Sequence, residues 1–135
     1  QKAIRHMAGY LLVHDNDFFW SWNEYGNEEK LIQSFQDRLG WDEQVEFIPY
    51  WNTNSPLQLC GEHLLASAFV RGSRALLVVV NDSDAARNVQ LDADWQRLIG
   101  KQPATVTDCY TPGNRIVPGE TFAMQPWETK ILLVE

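Results

Sequence analysis

From Gln44 to Glu135 the chain is a succession of short apolar stretches separated by turn residues, and this pattern constrains the fold more than any other feature. Val45–Trp51 reads as an extended segment whose Pro49 suits a sheet edge or a strand end. Leu64–Val70 and Arg74–Val80 form a strand pair joined by the hairpin-type connection Arg71-Gly72-Ser73. Val89, Leu91 and Ala93 alternate with Gln90, Asp92 and Asp94, the period-2 signature of a half-exposed strand. Trp95–Ile99 reads as one helical turn ended by Gly100. In Ala104–Tyr110 the alternation predicts Val106, Asp108 and Tyr110 on one face, and Thr111-Pro112-Gly113-Asn114 is a turn. Thr121–Met124 and Thr129–Val134 close the chain, with Trp127 expected to pin this last hairpin onto the core. Seven or eight short strands punctuated in this way predict an antiparallel β-sandwich over residues 44–135.

Residues 1–43 differ. Gly9–Val13 is continuously apolar and ends in His14-Asp15-Asn16-Asp17. Continuous rather than alternating hydrophobicity predicts a strand buried on both faces, of the parallel-sheet kind. An aromatic cluster, Phe18-Phe19-Trp20-Ser21-Trp22, precedes a helix with Asn27 as N-cap, Glu28 and Glu29 in its first turn and Gly40 after its end. Leu31, Ile32, Phe35 and Leu39 make its apolar stripe. Strand, loop and helix are half of a βαβ unit, so the expected fold is mainly β: an antiparallel sandwich preceded by one β/α element, docked without a flexible linker.

Composition narrows the function classes. Eleven Lys+Arg against 18 Asp+Glu give a net charge of −7 with no basic run, which argues against a nucleic-acid partner. The longest apolar run, Ala75–Val80, is far below the roughly 20 residues of a membrane helix, so no membrane partner is expected. With 44% hydrophobic residues the chain can build a core without metal or disulfide. Cys60 and Cys109 stand in no CxxC pattern and admit either one disulfide or two free thiols, the latter being the plainer reading. The chain opens on Gln1 with no signal-peptide pattern, which suggests a processed or excised chain. Asn81-Asp82-Ser83 matches the N-glycosylation pattern.

Strong catalytic signatures are missing: there is no Walker loop, GxGxxG, HExxH or GxSxG. His6, His14 and His63 lack metal-ligand spacing with the cysteines, so no metal site and no cofactor are expected, and Cys60 with His63 is a weak nucleophile pair. The most informative group is His14-Asp15-Asn16-Asp17 at the end of the apolar run, because α/β folds gather ligands at the carboxyl ends of strands. Carboxylates there can bind sugar hydroxyls, and Trp20 and Trp22 can stack on a pyranose face. The competing reading makes Asp15 and Asp17 caps or turn residues and the tryptophans packing groups. Phe47–Trp51 is similarly either an exposed aromatic strip or, more simply, packing at the seam. Asp92 and Asp94 read as a solvated face.

Four segments together, Ala75–Ser83, Val89–Asp92, Val106–Thr111 and Phe122–Thr129, resemble the C-terminal β-sandwich of glycoside hydrolases. In that pattern a Leu-Val-Val-Asn strand, a D-x-Y-T turn and a terminal P-W-E strand follow a (β/α)8 barrel. The combination is most similar to bacterial glycoside-hydrolase-like proteins related to the family 123 β-N-acetylgalactosaminidases. The resemblance implies that residues 1–43 are the last strand and helix of a barrel and that residues 44–135 buttress it. It implies an extracytoplasmic location, carbohydrate as substrate of the parent enzyme, and the rest of the parent polypeptide as partner. The catalytic carboxylates of such enzymes sit on earlier barrel strands, so no catalytic residue is carried over. His14 and Asp15, with Trp20 and Trp22, remain as substrate-binding candidates. The alternatives are a free-standing carbohydrate-binding module using Trp20, Trp22, Tyr50 or Trp51, and a structural assembly domain.

Overall fold

The apolar run Ala75–Val80 needs two covered faces, and the architecture supplies both. A computed structural model describes residues 1–16 and 26–135. Among these the chain forms α1 (Lys2–Val13), α2 (Gly26–Leu39), β1 (Glu46–Ile48), β2 (Leu57–Cys60), β3 (Leu64–Arg71), β4 (Arg74–Asn81), β5 (Arg87–Ala93), α3 (Trp95–Ile99), β6 (Val106–Asp108), β7 (Thr121–Met124) and β8 (Thr129–Val134). A five-stranded sheet runs β1-β3-β4-β8-β6 and a three-stranded sheet β2-β5-β7, every pairing antiparallel. The mainly-β, two-sheet sandwich is therefore present.

Strand parity distributes the core. Ala66, Ala68 and Val70 of β3, Ala75, Leu77 and Val79 of β4, and Leu132 and Val134 of β8 face Val89, Leu91 and Met124 of the smaller sheet. The alternate residues, Phe69, Leu76, Val78, Val80, Ile131 and Leu133, form a second core with Ala8, Leu12 and Val13 of α1 and Ile32, Phe35 and Leu39 of α2. The larger sheet is thus sandwiched between two helices and a smaller sheet, which is why β4 and β8 carry no polar alternation although their sheet is antiparallel.

The residues read as a buried strand, Gly9–Val13, are instead the last turns of a helix. Ala8, Gly9, Leu12 and Val13 are buried while Tyr10 is exposed, a spacing that only a helix presents to one side. The β/α element accordingly appears as two helices on the sandwich. Asn27 lies inside α2 rather than ahead of it. The stripe of α2 and its stop at Gly40 (φ 87°), where the Gly40 and Trp41 N–H groups donate to the Gln36 carbonyl, are as expected.

Other differences are local. β2 was not anticipated, because four residues with only Leu57 and Leu59 alternating around Gln58 give a weak signal. β6 stops at Asp108, so Val106 enters the intersheet core while Tyr110 joins the helix-side core. Asp94 caps α3 by accepting the Arg97 N–H at 3.1 Å and does not extend the polar face of β5. β7 and β8 belong to different sheets, so Gln125–Glu128 is a crossing and not a hairpin, and Trp127 is 42% exposed. Asn81 is fully buried, its Nδ2 donating to the Ala85 and Gln125 carbonyls, which removes it as a glycan acceptor in the folded chain.

Cys109 is a free, buried thiol; the side chain of Cys60 lies outside what is described. Burial, the main cause, pushes the Cys109 thiol up to about 11. Burial also raises the Tyr110 phenol, with Glu28 adding to it. For Lys130 lost solvation is the largest single effect and lowers it, but hydrogen bonding and charge pairing with Asp108 and Glu128 together outweigh that and hold its ammonium above the ordinary range. All three folded values lie above their unfolded ones, so the stability they contribute is full below about pH 9 and is lost as pH rises through the folded values. We expect urea stability to be level from neutral pH to about 9 and then to fall, Cys109 alone contributing of order 2–3 kcal/mol by pH 11. Cys109→Ala should remove that part of the fall; a stability that rises above pH 9 would contradict the assignment.

Candidate functional site

The end of α1 carries the main aromatic cluster among the described residues. α1 stops in a Schellman arrangement: the Asn16 N–H donates to the Leu11 carbonyl at 3.0 Å and the Asp15 N–H to Leu12 at 2.9 Å. Asp15 takes the left-handed position at φ 56°, which Asp tolerates better than most residues. Its backbone role is thus to stop the helix before it, while its residue remains exposed.

Tyr10 and His14, one turn apart, meet the turn that follows β1. His14 Nδ1 lies 2.7 Å from the Tyr10 carbonyl, an acceptor only, so Nδ1 carries the proton. In the neutral ring Nε2 then accepts the Tyr50 hydroxyl proton at 3.0 Å. The Trp51 indole stacks on the His14 ring (centroids 5.9 Å, 24° between planes) and meets the Tyr50 ring edge-on at 5.0 Å and 87°. Trp51 is 54% exposed and Tyr10 42%.

A buried serine and a half-buried phenylalanine hold this surface in place. Ser67, fully buried in β3, donates its hydroxyl to the Val13 carbonyl at 2.7 Å and accepts the Tyr50 N–H at 3.0 Å. One side chain thereby joins the C-terminus of α1 to the Tyr50 turn. Phe47 packs between Trp51 (6.0 Å) and Phe69 (5.0 Å), anchoring the strip in the helix-side core.

Of the expected site residues, His14 is at the centre of this cluster and Asp15 adjoins it, at a helix end rather than a strand end. Trp20 and Trp22, with Asp17, Phe18 and Phe19, lie outside the described residues. The Phe47–Trp51 strip divides: Phe47, within β1, packs against Phe69, whereas Tyr50 and Trp51, in the turn after β1, are exposed. Tyr10 and Ser67 were not singled out from the sequence. The i, i+4 spacing of Tyr10 and His14 is visible once a helix is assumed, and a lone serine within the apolar Leu64–Val70 is the one cue to Ser67.

Among the described residues no group of three or more His, Cys, Asp or Glu is placed to hold a metal ion, and no helix is long and apolar enough to cross a membrane. No protein-family model matches the chain, and no curated protein matches it.

Proposed function

We propose that the chain is the C-terminal sandwich of a glycoside-hydrolase-like protein, which buttresses a catalytic barrel and does not catalyse by itself. The observation that supports this reading is the exposed, anchored cluster of Tyr10, His14, Tyr50 and Trp51. Contiguous exposed aromatics mark contact surfaces, and Ser67 and Phe47 fix this one in advance of any partner. The partner is the remainder of the parent polypeptide. Asp15 at the rim supplies one carboxylate, whereas glycosidic cleavage needs two flanking the bond, which this reading assigns to the barrel.

A free-standing sugar-binding module would stack a glycan on a flat aromatic pair, and Tyr50 and Trp51 stand at 87° to each other. That geometry favours a contact surface over a platform. Assays of the chain alone on aryl glycosides should give no turnover above background, and sustained hydrolysis would overturn the proposal. In the parent polypeptide, Trp51→Ala should loosen the sandwich from the barrel and lower activity. In the isolated chain the same change should cost only about 1 kcal/mol or less, because the ring is more than half exposed.

A further inference from the structure

A concavity lies away from the aromatic cluster, between the first turns of α1 and the β6 and β8 ends of the larger sheet. It encloses about 490 Å³, within the range of small-molecule sites. Arg5, Asp108, Tyr110, Trp127, Glu128 and Lys130 line it.

These groups are pre-positioned. Lys130 Nζ is held between Asp108 Oδ2 (2.9 Å) and Glu128 Oε1 (3.2 Å), which uses two of its three N–H donors. Asp108, 1% exposed, also accepts the Tyr110 N–H at 3.0 Å. Arg5 is tied to Glu28 at 2.9 Å and lies over the Tyr110 ring at 4.4 Å. Trp127 is set at φ 56°, a backbone state a bulky aromatic rarely adopts. It is kept there by its own N–H to the Ser83 carbonyl (3.0 Å) and by Glu128 Oε2 accepting the Gln125 N–H (2.6 Å).

Most of the charged side chains here are already paired, Lys130 with Asp108 and Glu128, and Arg5 with Glu28 behind the lining, so the groove presents little concentrated charge to an ion. What it does offer is planar carboxylate and guanidinium edges, a spare ammonium donor and a half-exposed indole. Such edges pair with adjacent hydroxyls, and an indole face covers the C–H side of a sugar ring. We propose that this groove binds a neutral, hydroxyl-rich ligand of one or two pyranose rings, with Trp127 as the stacking wall and Lys130 and Glu128 as hydroxyl partners. The inference rests on the carbohydrate reading above but assigns it a separate place.

The test is a ¹H–¹⁵N titration of the chain with methyl β-galactopyranoside, methyl β-glucopyranoside, glucuronate and inorganic phosphate. A neutral pyranoside should shift the Trp127 indole and the Gln125, Glu128 and Lys130 amides saturably. Trp127→Asn, chosen because Asn tolerates the same backbone state, should weaken that binding about tenfold while amide dispersion stays native. Equal affinity in Trp127→Asn, tighter binding of glucuronate or phosphate, or no shift with any probe would overturn the groove assignment. Shifts confined to Tyr50 and Trp51 would also overturn it. None of these outcomes bears on the buttress reading, which is decided by turnover of the isolated chain.

Discussion

Replacing Gly9 by alanine should destabilise the chain by about 2 kcal/mol, although alanine is the better helix former by about 1 kcal/mol. A Cβ at Gly9 would stand 2.2 Å from Thr129 Oγ1, 2.3 Å from Cγ2 and 2.8 Å from Cβ. Rotating the threonine moves the first two atoms but not the third, so α1 itself must lift off β8. That lift strains the helix-side core at Ala8, Leu12 and Val13, which lie on the same stripe. Urea denaturation measures the loss. A double mutant with Thr129→Ala should recover part of it, because two of the three clashing atoms are then gone. Stabilisation of Gly9→Ala by the ordinary helix-propensity gain would mean that α1 does not sit against Thr129 at all.

The same close approach bears on both the polar groove and the aromatic cluster. α1 contributes Arg5 to the polar groove and Tyr10 and His14 to the aromatic cluster, with Gly9 seated between them. A helix raised at its middle changes both ends. Gly9→Ala should therefore weaken any pyranoside binding in the groove even though no groove residue is altered.

How far the residues announce this fold depends on whether a segment's periodicity matches its own surroundings. β5 alternates because one of its faces is solvated, and Val89 and Leu91 were legible at once. The Arg74–Val80 strand was legible because turn residues bracket it, although its two covered faces come from mixed α and β layers. Gly9–Val13 misled for the opposite reason. Five consecutive apolar residues hide a helical stripe when Tyr10 and Leu11, the positions off the buried side, are themselves apolar. The exposure of Tyr10 follows from its place in the cluster with His14, a tertiary fact that local pattern does not carry. His14 and Asp15 were picked out for a strand end and found at a helix end, so the residues were legible and their geometry was not. Trp127 is a similar case: its segment reads as a turn, but that the turn crosses between sheets depends on the partners of β7 and β8.

The second large effect is expected at Ser67, where Ser67→Ala should cost about 3 kcal/mol and unsettle the aromatic cluster. The hydroxyl is fully buried and serves two backbone groups, the Val13 carbonyl and the Tyr50 N–H. Removing it orphans both in an apolar layer, and each unsatisfied buried group costs roughly 1–3 kcal/mol. Ser34→Ala is the control: its hydroxyl also donates to a backbone carbonyl, Leu31 at 2.6 Å, but on an exposed helix face where water replaces it. That change should stay within about 0.5 kcal/mol. The structural consequence separates the Ser67 hydroxyl from mere packing. With Tyr50 released, its hydroxyl should lose His14 Nε2, and the Tyr10, His14 and Trp51 ring signals should move in NMR spectra while those of the intersheet core, such as Val89 and Leu91, stay in place. A Ser67→Ala chain as stable as the Ser34→Ala control, with the His14 and Tyr50 resonances unmoved, would show that the α1 end and the Tyr50 turn are held together by the hydrophobic layer alone.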